Sequence, residues 1–160
     1  RDLANRREIE AELRLAIQRD ELSLFYQPIV DLQTGHIRCF EALLRWFHPT
    51  KGELRPAEFI PVAEDIDMIK PLGEWALERA CRDATLWPDD IGVAVNISAL
   101  QFECDDFPAV VKQVLAETGW FQKMVGPFGK VPVQFFGVLA TGEFIYFFYQ
   151  VNLPNINDQF

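Results

Sequence analysis

The chain carries no Cys-x-x-Cys spacing, and its three cysteines, Cys39, Cys81 and Cys104, are scattered and odd in number. Nothing in that pattern reads as a disulfide framework or a thiolate metal centre; reduced thiols in a cytoplasmic protein are the expectation. Basic charge is scarce as well. Fifteen Lys and Arg stand against 24 Asp and Glu, for a formal charge of −9. That balance argues against a nucleic-acid or anionic-membrane surface, because both need a basic field over the contact. The opening residues, Arg1 to Glu8, are charged and lack the apolar core of a signal peptide. Long hydrophobic runs are missing too. The most apolar stretch, Val131 to Tyr149, is interrupted by Pro132, Gln134, Gly137, Thr141, Gly142 and Glu143. A spanning helix wants about 20 continuous apolar residues, so a membrane segment is not expected. Histidine is limited to His36 and His48, which sit beside Gly35 and Pro49 in turns and do not read as ligands.

What is present suits one domain: 160 residues are enough to bury a real core. Composition nevertheless changes near residue 120. Residues 121–160 hold four of the 39 charged residues but ten of the 21 aromatic ones. Two segments are therefore expected, 1–120 and an aromatic-rich tail, 121–160, in which Glu143 to Leu153 reads as a strand bracketed by Gly142 and Pro154.

Within the first segment the hydrophobic periods alternate between helix and strand. Residues 5–19 place Ile9, Leu13, Ala16 and Ile17 on one face of an amphipathic helix. Leu22 to Val30 and Ile37 to Trp46 read as strands joined at Gln33-Thr34-Gly35, hence an antiparallel hairpin. Pro56 suits the first position of a short helix to about Glu64, and Pro71 can open another that turns Leu72, Trp75, Ala76, Ala80 and Ala84 inward. The nearly unbroken apolar run Ile91 to Ile97 has the character of a parallel strand buried on both faces. Asp105 or Asp106 can then cap a helix with Val110, Val111, Val114 and Leu115 inside, and Gly119 ends it. This alternation is that of an α/β fold.

One stretch stands out chemically. Cys39-Phe40-Glu41-Ala42-Leu43-Leu44-Arg45-Trp46-Phe47 is strand-like and apolar, yet contains a carboxylate and a guanidinium. An unpaired Glu buried there would cost several kcal/mol. Glu41 and Arg45 can neutralise each other, or they can hold a metal and a phosphate. Asn96, at the end of the Ile91 to Ile97 strand, and Gln27, on the hairpin, can likewise bond backbone or serve a site.

Together with Tyr26-Gln27-Pro28-Ile29, Pro56-Ala57-Glu58-Phe59-Ile60-Pro61, Pro71-Leu72-Gly73-Glu74-Trp75 and Asn96-Ile97-Ser98, the Glu41-Ala42-Leu43 stretch resembles the EAL family of bacterial cyclic di-GMP phosphodiesterases, in order and at natural spacing from about Glu8 to Gly119. The resemblance implies part of a (β/α) TIM-type barrel with an N-terminal antiparallel hairpin. Glu41 and Asn96 would be ligands to Mg2+ or Mn2+, hard cations that take oxygen donors. Gln27, Leu44, Arg45 and Pro61 would contact cyclic di-GMP, with Arg45 on a phosphate oxygen and Pro61 bordering a base. Family domains are about twice as long as the matching part and carry a further metal-binding Glu, an Asp-Asp-Phe-Gly run, a Lys and another Glu. These are not found after Gly119, and Asp105-Asp106-Phe107-Pro108 reads as a helix cap. The chain alone is therefore expected to be a poor catalyst, with a non-catalytic cyclic di-GMP-binding or protein-interaction module as the alternative. An edge left open near Val93-Ala94-Val95 invites pairing. Phe144 to Tyr149 can cover it within the chain, or between chains in a homo-oligomer.

Overall fold

The computed structural model describes residues 2–102, 106–120, 134–138 and 144–148, with side chains described over 6–101 and 106–120. Its centre is a mixed six-stranded sheet. β1 (Leu22–Val30) runs antiparallel to β2 (Ile37–His48), which continues through a tight turn into β3 (Gly52–Leu54). On its other side β2 pairs in parallel with β4 (Gly92–Ser98), β4 with β5 (Gln134–Val138), and β6 (Phe144–Phe148) returns antiparallel on β5. The expected hairpin is thus present, and β4 lies parallel to both of its neighbours.

The hairpin turn is fixed locally. Asp31 Oδ1 accepts the backbone N–H groups of Gln33 and Thr34, each at 2.9 Å, and Gly35 takes the left-handed φ of 72° that the reversal requires. Arg38 and those N–H groups hold the Asp31 carboxyl down to about 2.

Helices cover one face of the sheet. α1 (Asp2–Ala16) buries Ile9, Leu13 and Ala16, α2 (Pro56–Asp65) buries Phe59, Val62 and Ala63, and both pack around Trp46 and Leu72. α3 (Ile69–Ala84) and α5 (Phe107–Thr118) form a second cluster with Val93, Val95 and Ile97 of β4. Tyr26 ties β1 to α3 by donating to Asp83 Oδ2 at 2.8 Å. Burial and the Asp83 carboxylate push that phenol well above its ordinary range, so it remains a donor at any working pH.

Several boundaries differ from expectation for identifiable reasons. α3 begins at Ile69 rather than Pro71; a proline in the first turn is tolerated because the N–H it lacks has no intrahelical partner there. Asp106 does occupy the N-cap of α5, but its side chain makes no capping bond, and Gly119 closes the helix at φ 72° as expected. Asp105 lies outside the described residues, as do 143 and 149–153 of the expected tail strand. β3, the one-turn α4 (Ala99–Phe102) and β5 were not anticipated. It is β5, not the 144–149 segment, that takes the edge of β4, in register from Val95 opposite Phe135 to Ser98 opposite Val138. Among the described residues no helix is long and apolar enough to cross a membrane.

Candidate functional site

Side chains alternate across a strand, so Glu41, Leu43 and Arg45 of β2 share the sheet face opposite the helices. Register fills in their neighbours. Gln27 of β1 stands opposite Glu41, and Ala94 of β4 is aligned with Glu41 from the other side, which places Asn96 one step further along the same face. The Asn96 amide closes the gap, donating from Nδ2 to Glu41 Oε1 at 2.9 Å. A carboxylate is acceptor-only, so the amide nitrogen must face it. The Asn96 oxygen is thereby turned the other way, where Oδ1 is buried and has no hydrogen-bond partner among the described residues. A buried acceptor without a donor costs about 1–3 kcal/mol. Beside a carboxylate, it is also the kind of oxygen a hard cation takes.

Arg45 is not the counter-ion of Glu41. Four residues along a strand is about 13 Å of rise, and the guanidinium instead lies 3.2 Å from Glu53 of β3 and donates to the Leu44 carbonyl at 2.8 Å. Glu41 is half-buried, and Asn96 is the partner that offsets its desolvation.

The sheet therefore brings together Gln27, Glu41 and Asn96, with Arg45 further along the same face. Leu44 points the other way and packs against the cluster around Trp46 and Phe59. Pro61 is exposed on α2, apart from the sheet. His48 is buried and its Nδ1 accepts from Thr50 N at 3.3 Å, a turn-fixing role, while His36 is exposed. Cys39 and Cys81 are free and buried, and burial pushes the Cys81 thiol up to about 12. Asp106 is exposed at the head of α5.

A second polar cluster went unnoticed in the sequence. Ser98, two residues beyond Asn96 on β4, donates to Glu64 Oε1 at 2.6 Å, and its backbone N–H donates to Gln101 Oε1 at 3.3 Å. Gln101 is only 3% exposed and its amide lies on Gly73 of α3, where an added Cβ would run into it. The alternation that placed Asn96 also predicts Ser98 on its face; Gln101 and Gly73 carry no such signal. Gly73→Ala is accordingly expected to displace the Gln101 amide and cost about 1–3 kcal/mol. Thermal unfolding followed by circular dichroism checks this, with Gln101→Ala restoring part of the loss in the double variant. An unchanged midpoint would mean that Gln101 moves aside freely.

Among the described residues no group of three or more His, Cys, Asp or Glu could hold a metal. The donor set that does fit a hard cation is the Glu41 carboxylate with the Asn96 amide oxygen, and it is a partial one.

Comparison with known proteins places this arrangement. The EAL domain model matches residues 10–125. Protein y4lL of Sinorhizobium fredii is 48% identical over 118 residues, which are 74% of this chain and 14% of the relative. MucR of Pseudomonas aeruginosa, a bifunctional diguanylate cyclase/cyclic di-GMP phosphodiesterase, is 47% identical over 95 residues, 57% of this chain and 14% of that protein. The solved structure of the PaMucR phosphodiesterase in complex with c-di-GMP superposes with a TM-score of 0.67 at 40% identity, over 70% of this chain and 47% of that one. The chain thus spans only 14% of the length of these curated relatives, and it belongs to the EAL domain family.

Proposed function

We propose that this chain forms the N-terminal part of an EAL-type (β/α) barrel whose inner sheet face binds cyclic di-GMP beside a divalent cation. The observation that carries the reading is the Glu41–Asn96 contact, in which a half-buried carboxylate accepts from an amide whose own buried oxygen, turned away from it, has no hydrogen-bond partner among the described residues. Glu41 and Asn96 would hold Mg2+ or Mn2+, and Gln27, opposite Glu41, would meet the nucleotide. Arg45 would take a phosphate oxygen. When bound, the cation supplies a Lewis acid that polarises the phosphodiester and lowers the pKa of a water. The chain's own residues fix the ligand against the sheet, and Asn96 orients Glu41.

In this reading residues 1–120 are the EAL-like unit, 121–160 add strands to its edge, and the protein works in the cytoplasm. The β4–β5 register supports pairing of the tail with the edge of β4. Hydrolysis is a separate matter. An octahedral cation given two protein oxygens keeps about four waters, and a second metal finds no support among the described residues. Our reading is therefore binding without efficient turnover, supported by the small protein donor set at Glu41 and Asn96.

The test measures both steps. Calorimetry with cyclic di-GMP in the presence of Mg2+ is expected to show binding, while chromatography shows no accumulation of linear pGpG at the rate of a complete domain. No heat of binding would sink the reading. Sustained turnover that disappears in Glu41→Gln would mean that groups outside the described residues complete the site.

A further inference from the structure

Arg45 is held from three sides. Its Nη1 donates to the Leu44 carbonyl at 2.8 Å, its Nε lies 3.2 Å from Glu53 Oε1, and its Cζ stands 5.6 Å from the centroid of the Phe25 ring. Register explains how these groups meet. Phe25 is opposite Leu43 on β1 and Glu53 is opposite Phe47 on β3, so both lie diagonal to Arg45 on the same face. The Phe25 and Phe47 rings stand 6.1 Å apart and are 49% and 43% exposed, whereas the Arg45 side chain is only 21% exposed. A solvated arginine would not be arranged this way. Its charge rests over an aromatic face and beside a carboxylate, and Nη1 donates to a carbonyl. Among the described residues these contacts leave open the outer edge of the fork, between Nη1 and Nη2. That edge matches two oxygens of a phosphodiester.

We propose that Glu53 is a positioning residue for anion recognition: its ion pair on the Nε side holds the Arg45 guanidinium against the Phe25 ring so that its Nη1–Nη2 edge receives a phosphodiester. The proposal deepens the reading given under Proposed function and rests on it for the identity of the natural ligand. It makes a prediction whose sign is informative. A carboxylate merely near an anion site repels the anion, so removing it should tighten binding. A carboxylate that orients the arginine has the opposite effect when removed.

The experiment uses the full chain with 15N-labelled arginine, and dimethyl phosphate and cyclic di-GMP as separate probes followed by NMR. Dimethyl phosphate is expected to shift the Arg45 Nη resonances and leave Nε in place. Glu53→Ala is expected to weaken both probes by up to about fivefold, the range of an exposed charge pair. Glu53→Asp keeps the charge and should stay within about twofold of the parent, which keeps the test open even if the alanine variant folds poorly. Equal or tighter binding by Glu53→Ala overturns the proposal. So does a parent chain in which dimethyl phosphate leaves Arg45 unmoved. If dimethyl phosphate behaves as expected and cyclic di-GMP does not bind, the role of Glu53 stands and the reading of the natural ligand falls.

Discussion

Trp46→Ala is expected to cost about 3–5 kcal/mol of folding stability, the range for truncating a large buried aromatic. Trp46 is fully buried in the middle of the cluster that joins α1 and α2 to the sheet. It packs edge-on against Phe59 of α2 with centroids 5.6 Å apart, and its Nε1 donates to Glu21 Oε2 at 2.9 Å. Truncation therefore opens a cavity and in the same step takes from half-buried Glu21 its hydrogen-bond donor, leaving the ion pair with Arg19 at 3.9 Å. Against a total stability of about 5–15 kcal/mol, such a loss leaves the chain near its unfolding threshold. Urea titration of parent and variant measures it, and Trp46→Phe separates the two contributions by keeping an aromatic ring while losing the donor to Glu21. A midpoint for Trp46→Ala no lower than that of the parent would show that α1 and α2 are not held to the sheet through this cluster.

The elements legible in the sequence are those whose periodicity runs for several residues. β1, β2 and β4 announce themselves by alternation or by an unbroken apolar run, and Pro56 and Gly119 mark helix ends whose backbone requirements only a few residues satisfy. Three-residue β3 is too short to carry a period, and Gly52 before it reads as a loop. β5 was hidden by Gly137 within it and Pro132 just before it, residues that ordinarily discourage a strand. The gathering of Gln27, Glu41 and Asn96 was foreseeable because pairing register and alternation fix which side chains share a face. Tertiary partners were not. That Arg45 would turn to Glu53, or that a buried Gln101 would need a glycine at 73, depends on distances between elements that no local pattern encodes. The same alternation, applied strictly, sends the Leu44 side chain to the helical face.

The largest functional effect is expected at Glu41. The parent chain should bind Mn2+ weakly, and Glu41→Gln should lose more than about tenfold in affinity, equivalent to about 1.4 kcal/mol, because it removes the charged oxygen donor at the site while keeping its shape. The glutamine can still accept from Asn96 Nδ2, so the fold should survive, and calorimetry then reads the metal term alone. Asn96→Asp makes a complementary case. It places a second carboxylate where the amide donor lay 2.9 Å from Glu41 Oε1. Two like charges that close destabilise each other unless a cation or a shared proton separates them. The variant should therefore melt earlier than the parent in a chelator. It should recover with added Mn2+ by more than the parent gains, since any ligand that binds only the folded state raises stability by an amount that grows with the logarithm of its affinity. Equal Mn2+ binding by Glu41→Gln would remove Glu41 from the site. An Asn96→Asp variant indifferent to both chelator and metal would mean that the buried amide oxygen is a structural feature of the strand end and not half of a cation site.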